Sequence, residues 1–115
     1  MRWIASVTVV AICGLLGSSA IAEQRQALCR FVVNGKTYIN GRCDFEVIDP
    51  DGSFTITGKV HFAYVMVKGN TGDATWNRDP KSLHAESPLG TLTRRGACWQ
   101  NATAQIWVRN LPAND

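Results

Sequence analysis

Short apolar runs separated by Gly, Asn, Asp and Pro follow one another from Leu28 onward, which is the punctuation of β-structure. No stretch carries the periodicity of a helix. Cys29-Arg30-Phe31-Val32-Val33 and Lys36-Thr37-Tyr38-Ile39 flank Asn34-Gly35, the dipeptide that best tolerates the positive φ values of a type I′ turn, so a hairpin is predicted here. Gly41 predicts a bulge or bend that carries Cys43 back toward Cys29, and Cys43 to Ile48 reads as a new strand. Asp49-Pro50-Asp51-Gly52 is a turn, after which Phe54 and Ile56 alternate with polar neighbours as in a strand with one wet face.

Val60 to Val67 is apolar on both parities, with only His61 polar, and predicts a central strand covered on both sides. Asp73 to Trp76 predicts a brief pairing, and Asn77 to Pro88 is a polar surface loop. Leu89 to Arg94, Cys98-Trp99 and Ala104 to Arg109 are the last short strands, with turns at Arg95-Gly96 and Asn101-Ala102. The expectation is an all-β domain of about seven short strands, a small barrel or compact sandwich.

The amino terminus adds the compartment. Arg2, the apolar run Ile4 to Leu16 and the small-x-small site Ala20-Ile21-Ala22 have the three-part organisation of a secretory signal peptide. Residues 1–22 are therefore expected to be removed, leaving one β domain over 23–115, exported to the periplasm or beyond, with no stable membrane insertion. Cys13 leaves with the leader. The remainder keeps Cys29, Cys43 and Cys98, an odd number for an oxidising compartment. Pairing Cys29 with Cys43 closes a short loop worth about 3 kcal/mol in the chain-entropy treatment, a large share of what so small a domain retains. Pairing of either with Cys98 stays open at this level.

Charge excludes little more. The whole chain carries twelve basic and nine acidic residues, a net +3, and Arg2 belongs to the leader. The basic residues are scattered, only Arg94 and Arg95 being adjacent, which gives no nucleic-acid footprint.

Candidate chemistry is sparse. Asp49-Pro50-Asp51-Gly52-Ser53 lacks the glycine and glutamate spacing of a calcium loop and reads as a plain turn. Asp44 and Glu46 share one strand face, where successive acids line solvent instead of converging across a cleft. No closely spaced Cys or His pair offers a zinc site, and no cofactor motif is present. Asn101-Ala102-Thr103 is a glycosylation sequon, meaningful only in a source that glycosylates exported proteins. Cys98 with His84 or His61 as base would make a thiol enzyme or redox protein; Cys98 could equally bridge two copies of a structural envelope protein.

The aromatic residues carry more. Ala104, Ile106 and Val108 take one face of the last strand, which places Trp107 with Gln105 and Arg109 on the polar one. An indole among polar groups suits stacking on a sugar or anchoring a protein. Trp99 and Trp76, together with Arg94 or Arg95, would complete a groove if they converged with Trp107.

Pro88-Leu89-Gly90-Thr91-Leu92-Thr93-Arg94-Arg95-Gly96 and Trp107-Val108-Arg109 resemble the Gly-Thr-Leu-x-Arg-Gly and Trp-x-Lys-Val segments of bacterial SH3-like envelope domains, and Asn77-Arg78-Asp79-Pro80 is faintly similar to their Asn-Val-Arg-x-Gly-Pro turn. The resemblance covers the last third of the chain. It departs in the extra Arg95, in Gln105 where a glycine is usual, and in the shortened turn. The Cys29 to Cys43 segment and Cys98-Trp99 are also similar to small exported alphaproteobacterial proteins. Neither resemblance carries a catalytic residue across; the SH3-like one implies recognition of peptidoglycan or peptide. The sequence thus leads to an expectation of a binding module for an envelope glycan, peptide or protein, such as a wall-lytic enzyme that it would inhibit. Its expected contacts are Trp107, Trp99, Trp76 and Arg109.

Overall fold

The computed structural model describes residues 23–112, so the expected signal peptide lies outside the described residues. Eight antiparallel strands pair in chain order and close on themselves through the first and last: β1 (Glu23–Val33), β2 (Lys36–Val47), β3 (Phe54–Thr57), β4 (Phe62–Lys68), β5 (Thr71–Trp76), β6 (Ser87–Arg95), β7 (Cys98–Gln100) and β8 (Ala104–Arg109). Closure leaves the sheet without an open edge. The molecule is an all-β barrel with a Cys29–Cys43 disulfide.

The count is eight against the expected seven: β5 forms a full strand from Thr71, and Lys36 to Ile39 and the run from Cys43, expected as separate strands, join in β2. Local differences are more instructive. The expected Asn34-Gly35 turn is present, with φ of 53° and 80°. Gly41, however, breaks nothing: β2 runs for 12 residues through it, and Gly41 pairs with Cys29 in register at a φ of 132°. The register instead shifts between Phe31 and Val32, where Tyr38 is the extra residue on β2. Both cysteines point inward, and Cys43 sits one pleat from the residue opposite Cys29, giving a Cα separation of 5.8 Å.

The Val60 to Val67 segment is also corrected. It is not covered on both sides: Ala63 and Val65 are fully buried, while Val60 and Met66 are exposed and Phe62 and Tyr64 half-buried on the outer wall. A closed barrel has one interior, so a strand that is apolar on both parities must send one set outward.

Ile56, Leu92, Ile106 and Val65 fill the centre of the barrel. Two aromatic layers lie above and below them. Phe31, Tyr38, His61 and Trp76 form the layer toward the Asn34-Gly35 turn, here called the upper mouth; Phe45, Phe54 and Trp99 form the lower one. Gly72 has a packing role in the lower half: a Cβ there would lie 2.6 Å from Val65 Cγ1 and 3.4 Å from the Trp99 ring.

The 77–86 connection is polar, as expected, but Asn77 at its start is buried. Its Oδ1 accepts the Phe62 amide at 2.7 Å, and its Nδ2 donates to the carbonyls of Val60 and Ser82. One side chain therefore ties the long loop to the β3–β4 turn.

Candidate functional site: the outer wall at Trp107

Strand parity decides the site. Ala104 and Ile106 point into the core, so Trp107 between Ile106 and Val108 must point out, and it is 37% exposed. Barrel registers then fix its neighbours. Trp107 pairs with Arg30 on β1 and Cys98 on β7; Arg30 in turn pairs with Asn40, and Cys98 with Arg95. One outward row therefore reads Asn40, Arg30, Trp107, Cys98, Arg95. The next row toward the lower mouth is Arg42, Leu28, Arg109. On the other side lie Thr37, Val32, Gln105, Gln100 and Thr93.

These rows carry four arginines on four strands and no carboxylate; Arg30 and Arg109 flank the indole, while Arg42 and Arg95 stand two strands away on either side. The Arg30 guanidinium lies 5.7 Å from the Trp107 ring centroid, within the range of a cation–π contact. Leu28, Arg30, Asn40, Gly41, Trp107 and Arg109 line a shallow depression of about 220 Å³ whose floor includes Cys29. The nearest acids on β2 start one row further down, where Asp44 is hydrogen-bonded by Gln26.

Cys98 stands in this surface, half-buried beside Trp107. Burial pushes its thiol above the ordinary range, and a hydrogen bond donated by the Trp107 indole pulls it only part of the way back. Its own Sγ–H points to Gln100 Oε1 at 3.6 Å. Neither histidine is brought to it. His61 stacks edge-on against Tyr38, with ring centroids 4.9 Å apart, near Trp76 at the upper mouth. His84 lies beside Leu83 and Tyr64 on another part of the wall.

The other expected contacts do not join Trp107. Trp76 is 3% exposed and packs edge-on against Phe31 at 5.2 Å; Trp99 is 6% exposed and packs against Phe54. They stand in opposite halves of the barrel, one interior to each mouth, so the three-indole groove is not formed. Arg94 covers Trp99 at the lower mouth at 5.7 Å and donates to the Gly96 carbonyl. Arg109 does adjoin Trp107 in the depression. Sequence reasoning names Arg95 as an alternative to Arg94 and misses Arg30 and Arg42; strand parity could have found Arg30, but its meeting with Trp107 and Arg109 depends on the β8–β1 closure, which no local pattern contains.

The segments that resemble SH3-like domains fall on β6 with its following turn and on β8. Comparison of the chain with protein-family models, with curated proteins and with solved structures gives no match.

Proposed function

We propose that this chain is an exported binding module whose outer wall, centred on Trp107, holds an acidic component of the cell envelope, the glycan-peptide polymer of the wall. The observation that carries this reading is a part-exposed indole flanked by Arg30 and Arg109 in one depression, with Arg95 in the same outward row and no carboxylate in the three rows around it. The chemistry follows directly. An indole stacks on the apolar face of a sugar ring, and guanidinium groups take the carboxylates of wall peptides in bidentate fashion. Export is supported by the leader-like sequence and by a disulfide whose formation fits an oxidising compartment. Binding is favoured over thiol catalysis because Cys98 has a raised thiol and no imidazole partner.

The test is co-sedimentation of oxidised 23–115 with purified wall sacculi at increasing salt. Retention should fall with ionic strength, and Trp107→Ala and Arg109→Gln should each weaken it by about tenfold or more with unchanged unfolding curves. Retention indifferent to both substitutions, or retention only of a wall-bound protein, rejects the glycan-peptide assignment.

A further inference from the structure

The upper mouth carries a second site, independent of the Trp107 wall. We infer that it binds a small aromatic or apolar anion, such as an aryl carboxylate. Phe31, Ile56, Leu92, Ile106 and Val65 are fully buried inside the barrel, and a cavity of about 600 Å³ opens above Trp76, within the size range of small-molecule sites, which favour the mouths of barrels.

Two backbone irregularities build it. The barrel has register shifts in β1–β2 and β5–β6, and both fall at this mouth. Each leaves one extra residue, Tyr38 in the first and Leu89 in the second, and both of these side chains line the cavity. Bulges at barrel rims re-aim side chains in this way. The second is held open by design of its surroundings: Gly90 takes a φ of 88°, and Asn101 Nδ2 donates to the carbonyls on either side of it, those of Leu89 and Thr91. Tyr38, Trp76 and Leu89 thus supply an apolar floor and wall.

Charge sets the ligand class. Lys36 and Arg78 line the cavity and no carboxylate does. The Lys36 ammonium lies over the Tyr38 ring, 5.2 Å from its centroid. The lower mouth has the same ingredients in a different state. There Arg25 covers Phe45 at 4.7 Å and bonds Asn110, Arg94 covers Trp99 and bonds the Gly96 carbonyl, and the remaining space is about 180 Å³. At the lower mouth hydrogen bonds hold both arginines over their rings and little space remains, whereas the upper mouth keeps its larger cavity beside Lys36 and Arg78.

The experiment titrates 2-naphthoate, with 2-naphthylmethanol as its neutral counterpart, into oxidised 23–115 and follows the three indole N–H signals by NMR. The expected result is a saturable shift of the Trp76 signal, with affinity lowered about tenfold by Lys36→Gln and by Arg78→Gln and with the neutral compound at least as much weaker. Both substitutions are at exposed positions, and an unchanged unfolding curve for each checks that the fold is intact. No saturable shift up to ~5 mM, a shift centred on Trp107 or Trp99, or equal affinity for the neutral compound overturns the inference. None of these results rejects the Trp107 reading, which is scored on a different ligand, the wall sacculi and their fragments.

Discussion

Two arginine–indole pairs in this barrel have the same separation and opposite uses. Arg94 over Trp99 and Arg30 over Trp107 are both 5.7 Å from guanidinium carbon to ring centroid. Trp99 is inside, against Phe54, and its arginine is tied down by the Gly96 carbonyl. Trp107 is outside, in a row with Cys98 and Arg95. The difference arises from strand parity alone, because the two residues sit in neighbouring strands one pleat out of phase: Trp99 pairs with Ile106 and Trp107 with Cys98. A cation over an indole closes the fold in one case and is displayed by it in the other.

The sharpest way to break this comparison is to remove the inner ring. Trp99→Ala should cost about 3–5 kcal/mol in urea unfolding, from lost burial and the cavity left behind; a cost equal to that of Trp107→Ala would show that parity does not separate them. Replacing Cys29 and Cys43 together by alanine should cost about 3 kcal/mol on the chain-entropy estimate, read by the same titration, without altering the Trp107 surface. Gly72→Ala should cost about 1–3 kcal/mol by overpacking, since the new Cβ would press on Val65 and approach the Trp99 ring. Trp107 has no such glycine beneath it.

The smallest effect is at Cys98 and sharpens the comparison from the wall side. Its thiol is raised, so the folded chain holds that proton more tightly than the unfolded one. The associated stability is complete below the unfolded thiol value of about 8.5 and is lost as pH rises through the higher folded value. Labelling by a thiol reagent should accordingly be slow at neutral pH and increase only in the alkaline range. Trp107→Phe removes the indole donor while keeping a ring, and should move the labelling profile further upward; a downward move would contradict the assigned hydrogen bond.

Much of the fold is legible because barrel strands obey a period of two. The Asn34-Gly35 turn, the alternation at Phe54 and Ile56, and the outward place of Trp107 follow from nearest neighbours in sequence. What the sequence does not display depends on distant pairing. Nothing near Tyr38 or Leu89 marks them as the extra residues of two bulges, and Gly41, which looked like the bulge, needs only an unusual φ within an unbroken strand. Asn77 reads as loop because its three partners lie on other segments or further along the loop. Trp76 and Trp99 have the composition of binding residues, and only the closed barrel turns them inward. The pairing of Arg30 with Arg109 about Trp107 is invisible for the same reason: the two are far apart in sequence and become neighbours when β8 meets β1.

The most direct measurement follows the Trp107 and Trp99 indole N–H signals while soluble disaccharide-peptide fragments of the wall are added to oxidised 23–115. The account predicts a saturable displacement of the Trp107 signal, abolished by Arg109→Gln, with the Trp99 signal stationary. A Trp107 signal that stays fixed while fragments bind elsewhere, or fragments that do not bind at all, would contradict it.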